Sequence, residues 1–265
     1  MRGLVIGLGL VAAALGVAAQ EPALTVLAAG SLRAALGEVA QAWEAQAPWR
    51  RVALGFGASG LLKDRLLAGE AAQVFASANM AHPQALADAG RAAAPQAFAS
   101  NRLCVLAPAT AGLTRANLVE RLLDPAVRVG TSTPKADPAG DYTWTMFERI
   151  EQRGRPGAYA VLSAKALQLT GGPASAPPPA ERSVYGALME SGQADVFVTY
   201  CTNAVTAARE VPALRVVEVP DEVNVAARYG VTLLAGAGEP ARDFVRFLLG
   251  PDGQAVLARH GFAAP

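Results

Sequence analysis

Net charge is almost missing from this chain. It carries 23 basic and 22 acidic residues among 265. So even a balance gives no field to gather nucleic acid or an acidic membrane face, and neither is expected as a partner. Cysteine and histidine are equally scarce, at two each. Cys104 and Cys201 lie far apart, and neither they nor His82 and His260 share the short spacing that zinc ligands need, so no metal site is expected. The two cysteines leave both a bridge and a pair of buried thiols open. Aromatic residues make up 6% of a chain that is 52% hydrophobic, so the apolar mass is aliphatic and suits a packed α/β protein. No repeat of solenoid length is visible. The one long apolar run, Gly3 to Leu15, falls short of the ~20 residues a spanning helix needs.

That run has another reading. Met1-Arg2 is a short basic start, and Val17-Ala18-Ala19 has the small-residue form of a signal-peptidase site. Residues 1–19 are therefore expected to be a signal peptide, removed before Gln20. No cysteine follows the cleavage point to take a lipid, so the mature protein is expected to be soluble and exported. Loss of Arg2 leaves 22 basic and 22 acidic residues, a net charge of zero. An anion bound by such a protein must be held by local dipoles.

The mature chain alternates apolar strands with amphipathic helices. Strands are expected at Leu24–Ala29, Val52–Phe56, Val74–Ala78, Leu103–Pro108, Val127–Gly130, Ala194–Tyr200, Arg215–Val219 and Tyr229–Leu234. Between the first two, Leu32, Leu36, Val39, Ala40 and Trp43 recur at helical spacing. Short βα links imply mainly parallel sheets with helices on their faces. The pattern restarts after Pro108, with helices over Leu118–Leu123, around Met146 and Phe147, over Tyr159–Leu169 and over Val184–Glu190. A proline-rich loop, Gly171–Pro179, interrupts it, and helices over Ala241–Leu249 and from Pro251 to His260 close the chain. The middle section reads as a second βα unit inserted into the first. The expected architecture is two α/β lobes, 20–106 with 204–265 and 107–203, joined by crossings near Ala107 and Asn203, with a cleft between them.

Twice near the start, a strand runs through a small-residue turn into a helix that opens on serine: Gly30-Ser31 and Gly57-Ala58-Ser59-Gly60. Such a junction points unpaired N–H groups and the positive end of a helix dipole at one spot, and the serine adds a hydroxyl. On neighbouring strands the two would form an anion pocket without formal positive charge. The second lobe offers Asp137-Pro138-Ala139-Gly140-Asp141, Ser183-Val184, and the phenol of Tyr200 at a strand end. Each serine taken alone is an ordinary N-cap.

Taken in order, these segments resemble a family. Leu27-Ala28-Ala29-Gly30-Ser31-Leu32 and Gly57-Ala58-Ser59-Gly60 are similar to the two serine turns of periplasmic molybdate-binding proteins. Pro138-Ala139-Gly140, Ser183 to Leu188, Gly192 to Asp195, Val198-Thr199-Tyr200 and Gly250 to Gln254 resemble their later motifs. The resemblance implies a two-lobe periplasmic-binding-protein fold of type II-like form. It implies a monomer, not an enzyme, that captures molybdate or tungstate and delivers it to an ABC permease in the inner membrane. The ligand contacts it implies are the hydroxyls of Ser31 and Ser59, the backbone of Ala139 and of Val184, and the Tyr200 hydroxyl, with no cofactor. The chain departs from the family at Gln73, Asn79 and Asn203, where an acid is usual, and at Cys201.

Donor-only chemistry favours a fully deprotonated tetrahedral dianion, which accepts hydrogen bonds and donates none. A protonated phosphate would leave its own donor unpaired unless an acceptor such as Asp141 stood near. Beside a structural or adhesion role, which the lack of repeats and of an aromatic patch does not favour, two rivals remain in the sequence. One is a binding protein of the same fold for sulfate, phosphate or a small carboxylate. The other is an exported serine hydrolase with Ser59 as nucleophile, His82 or His260 as base, and Leu61 where a nucleophile elbow has glycine.

Overall fold

The computed structural model describes residues 23–177 and 182–265. The expected signal peptide and the last two prolines of the Gly171–Pro179 loop lie outside them. The first lobe opens with β1 (Leu24–Ala29), a 3₁₀ turn at Gly30–Leu32, α1 (Arg33–Glu44), β2 (Val52–Gly57), α2 (Ser59–Leu67), β3 (Val74–Ser77) and α3 (Ala81–Asp88). A long strand, β4 (Gln96–Pro108), leads into α4 (Leu118–Leu123), β5 (Val129–Ser132), α5 (Pro138–Gln152), α6 (Ala158–Lys165) and β6 (Leu167–Thr170). Then come α7 (Val184–Glu190), β7 (Val196–Tyr200), α8 (Cys201–Glu210), β8 (Leu214–Glu218), β9 (Ala226–Leu233), α9 (Glu239–Leu249) and α10 (Pro251–Arg259).

The strands follow the order β2-β1-β3-β9-β4-β7-β5-β6, with β8 also on β4. Parallel pairs stand at both ends: β1 runs with β2 and β3, and β5 with β6 and β7. Strands covered by helices on both faces carry unbroken apolar runs rather than alternation, which is why Leu24–Ala29 was legible. From the 3₁₀ turn into α1, the stripe Leu32, Leu36, Val39, Ala40 and Trp43 is buried against that sheet. Trp43 meets Phe244 of α9 edge-on, with ring centres 5.6 Å apart.

The lobes exchange chain through β4. Residues Gln96–Arg102 pair with β9, and from Leu103 the strand pairs with β7 and β8 instead. The return passes through 219–225, between β8 and β9. There Asn224 holds the crossing together: its Oδ1 accepts the Leu103 N–H at 3.0 Å and its Nδ2 donates to the Leu103 carbonyl at 3.0 Å. The change of partner thus falls a few residues before Ala107. The return lies well beyond Asn203, because α8 and β8 stay packed on the second lobe.

Cys104 and Cys201 are bonded, with Cα atoms 4.7 Å apart. The bridge fastens the crossing strand β4 to the start of α8; it does not join the two crossings. Three elements depart furthest from the sequence expectation: β4, expected from Leu103, already begins at Gln96. The helix expected through Leu169 ends at Lys165 and gives way to β6. The segment Cys201–Glu210, not expected as a helix, forms α8.

Candidate functional site

β1 and β2 are parallel neighbours in register Ala29↔Gly57, so both serine turns leave the sheet at the same edge. The turns lie side by side, so that a Cβ on Gly30 would make ordinary contact with the Gly57 carbonyl at 3.9 Å, while one on Gly57 would crowd the Leu62 side chain at 3.3 Å. Ser59 is the first residue of α2 and only 1% exposed. Its Oγ accepts the Ala78 N–H at 3.1 Å, which leaves its own proton for a guest. Ser31 shares a hydrogen bond of 2.9 Å with the Tyr229 hydroxyl. Burial raises the Tyr229 phenol far above its ordinary value, so it stays a neutral partner.

Ser31, Ser59, Val184 and Tyr200 line one cleft of about 540 Å³ between the lobes. Val184 is the first residue of α7, where an N–H has no acceptor within the helix. Ser183 caps that helix by accepting the Gly186 N–H. Tyr200 ends β7 and is the residue before α8. Its ring is 1% exposed, and among the described residues its buried hydroxyl meets no partner. Burial drives its phenol well above the ordinary value, and Tyr229, Asp137, Tyr142 and Tyr185 push it the same way. It is a donor at every physiological pH.

Ala139 departs from this arrangement. It is fully buried and is not on the cleft wall. Its N–H is already given to the Asp137 carboxylate at 3.0 Å, because Asp137 is the N-cap of α5. Asp137 itself stands on the wall. Asp141, the acceptor considered from sequence, instead turns its Oδ1 to the Lys135 N–H at 2.7 Å.

Sequence reasoning missed two features of this site. One is the aromatic backing. Tyrosines number five in the chain, and four gather at the cleft. Tyr200 lies 6.3 Å from Tyr142 and 5.7 Å from Tyr229, ring centre to ring centre, and Tyr185 lines the wall. The other is the contact between lobes. Gly60 donates its N–H to the Ala136 carbonyl at 2.8 Å. A Cβ there would stand 2.4 Å from the Lys135 carbonyl oxygen and 2.6 Å from that of Ala136. Only glycine lets α2 seat on the β5–α5 loop. The Gly-Ala-Ser-Gly string signalled close approach, but not what approached.

Of the departures, Asn203 lines the cleft and donates to Thr199 Oγ1 at 3.2 Å. Gln73 Oε1 accepts the Thr25 N–H beside β1, and Asn79 Oδ1 accepts the His82 N–H at the start of α3. The hydrolase reading needs a histidine on Ser59. His260 is instead 2.8 Å from Glu38, and among the described residues no hydrogen bond joins His82 to Ser59. Over the same residues no helix is long and apolar enough to cross a membrane.

Known proteins of this form carry the same plan. The chain is 38% identical over 241 residues to an uncharacterized protein of Pasteurella multocida, covering 90% of this chain and 98% of that one. It is 30% identical over 255 residues to the molybdate-binding protein ModA of Mycobacterium tuberculosis, covering 91% and 85%. Among solved structures, the sulfate-binding protein SubI of Mycobacterium tuberculosis superposes with a TM-score of 0.76 at 17% identity over 91% of this chain and 86% of that one. The periplasmic molybdate-binding protein of Azotobacter vinelandii gives 0.73 at 19% identity over 91% and 99%. These structures share the fold. The family model for bacterial extracellular solute-binding proteins matches residues 24–263, so the chain belongs to that family.

Proposed function

We propose that this chain is the periplasmic capture component of an ABC importer for a tetrahedral oxyanion, with molybdate or tungstate as guest. The observation that carries the reading is convergence: Ser31 and Ser59 from one lobe, and Val184 and Tyr200 from the other, line one cleft. None of the four brings a formal charge. Each hydroxyl or N–H is a fixed donor, and low local dielectric strengthens such donors toward an anion. The Tyr200 hydroxyl, buried without a partner, is the group an oxyanion oxygen would complete. The kinship with ModA supports molybdate over sulfate.

In this reading the anion docks on the two serines and the lobes close through Gly60 and Ala136. The second lobe then completes the cage, and a membrane permease receives the closed form. One observation favours a second class of guest, an anion carrying its own proton: the acceptor Asp137 on the same wall.

The test is a thermal-shift panel of molybdate, tungstate, sulfate and phosphate. A ligand present at a thousand times its Kd stabilises the fold by about 4 kcal/mol, so molybdate and tungstate should raise Tm by several degrees. Ser59→Ala should clearly weaken the response. Identical Tm with and without all four anions would refute oxyanion capture.

A further inference from the structure

A carboxylic acid inside a cage of donors for anions is out of place unless it serves the guest. Asp137 is such an acid. It lines the cleft with Ser31, Ser59 and Tyr200, and its Oδ1 accepts the Ala139 N–H at 3.0 Å. Room for its other oxygen is built in by a distant residue. Gly171 has φ +76°, and a Cβ there would lie 2.5 Å from Asp137 Oδ2. The buried hydroxyl of Ser132 lies beside the carboxyl.

Among the described residues no salt bridge reaches Asp137. Of the two arginines on the cleft wall, Arg33 lies over the Phe56 ring at 4.7 Å and Arg182 pairs with Glu190 at 2.8 Å. Glu210, also on the wall, accepts the Ser183 N–H. The other titratable groups near Asp137 are Lys135, exposed in the loop just before it, Asp141 and Tyr142 on its own helix, Tyr185 on α7, Tyr200 on β7 and Tyr229 on β9. The phenols of these four tyrosines are all pushed upward and stay protonated. Asp137 is therefore the group of the inner cage that changes charge near neutrality.

We propose that Asp137 links capture to one proton, shared between its carboxyl and an oxygen of the guest. This rests on the oxyanion reading and deepens it. An ionised carboxylate and a tetrahedral dianion repel each other across so short a gap, and neither can donate. With one proton on the carboxyl, its O–H donates to the guest and completes the cage. A guest that already holds a proton, such as hydrogen phosphate, donates it to the ionised carboxylate instead. Asp137 thus serves as a specificity-determining residue, with pH as the variable it reads.

The direction of the linkage follows from the acid's own titration. Burial pushes the carboxyl up to about 6, with Asp141 acting the same way and the Ala139 N–H and Ser132 opposing. Below that pH the proton is already in place, and molybdate enters without further uptake. Above it, each molybdate draws one proton from solvent. Affinity then falls toward tenfold for each pH unit, until the bound-state carboxyl also ionises.

Calorimetric titration of molybdate in buffers of different ionisation heat, from pH 5.5 to 8.5, measures the uptake directly. Uptake should be small at pH 5.5 and approach one proton per molybdate at pH 7.5, with affinity falling across the range. Asp137→Asn, which keeps an N-cap side chain, should show no uptake and a flat profile, and should bind molybdate more tightly than the parent at pH 8. Molybdate affinity independent of pH in the parent, with no buffer-dependent heat, overturns the proton linkage while leaving oxyanion capture standing. So does a pH slope that survives in Asp137→Asn. Absence of binding by molybdate, tungstate, sulfate and phosphate at pH 5.5 in both proteins overturns the oxyanion reading and this one with it.

Discussion

The two turns that meet across the cleft are finished with opposite chemistry. On the first lobe, α2 opens with a serine hydroxyl and a glycine, uncharged and shaped for close approach. On the second, α5 opens with an aspartate whose carboxyl shares the wall with the serines. Only the aspartate caps its helix, by accepting the Ala139 N–H; the serine is the first residue of α2 and its hydroxyl accepts the Ala78 N–H instead. For an anionic guest they differ in kind. The first lobe offers donors at any pH, whereas the second offers a group whose sign of interaction depends on a proton. In the proposed reading, general oxyanion affinity is the first lobe's part and discrimination the second's.

The largest effect expected from breaking this contrast is on stability. The Asp137 carboxyl titrates at about 6 in the folded protein, against an ordinary 3.8, so the fold holds that proton more tightly than the unfolded chain does. Its favourable contribution is complete below the ordinary value and is lost as pH rises through about 6. The ionised acid, half-buried on the cleft wall, then costs at most about 3 kcal/mol relative to the acidic range, less whatever the cleft water screens. Asp137→Asn should accordingly be more stable than the parent at pH 8, by an amount approaching that figure, and close to it at pH 4. Urea melts at the two pH values measure this. An equal difference at both would mean that Asp137 is no more shielded than a surface acid.

Next in size is the contact that lets the two turns meet. Gly60→Ala places a methyl group 2.4 Å from the Lys135 carbonyl oxygen, and backbone on both sides leaves little room to yield. Overpacking of this kind costs about 1–3 kcal/mol. Because it falls on the joined form, anion affinity should drop by roughly 10- to 100-fold with little change in circular dichroism. Gly37→Ala on α1, where a Cβ meets nothing within 4 Å, is the matching control and should bind as the parent does. Equal affinity in the two variants would show that capture does not need the Gly60–Ala136 contact.

These contrasts also mark how far the sequence could be read. β1 and β2 were legible because buried parallel strands are unbroken apolar runs bounded by turn residues. The first half of β4 was not, since Gln96–Arg102 mixes Ser, Asn and Arg and gains its strand character from pairing with β9. Likewise α8 buries only Ala204 and Ala207, too small a stripe to register as amphipathic. β6 follows α6 after a single residue, and its Leu167 and Leu169 extended the helical pattern. In the site, Ser31 and Ser59 were visible because glycine beside serine after a strand has a physical meaning of its own. Asp137 was visible as the start of a helix. That its carboxyl lies on the cleft wall is set by Gly171 and the fold around it, which no local pattern states. Hence Ala139 was expected where Asp137 stands.

The smallest expected effect is the sharpest in sign. Among the described residues the buried Tyr200 hydroxyl is bonded to nothing, whereas that of Tyr229 is tied to Ser31 at 2.9 Å. An orphaned buried hydroxyl costs stability, about 1–3 kcal/mol at the upper end. Tyr200→Phe should therefore leave the ligand-free protein as stable as the parent or slightly more so, while anion affinity falls by roughly tenfold for the one lost donor. Tyr229→Phe should lose stability instead, since it leaves Ser31 short of a partner, and should lose affinity only to the extent that Ser31 turns away. Paired melts and titrations of the two variants read both quantities. If Tyr200→Phe destabilised the ligand-free fold and left anion affinity alone, the phenol would be a core group, and the second lobe would meet the guest through Val184 and Asp137 only.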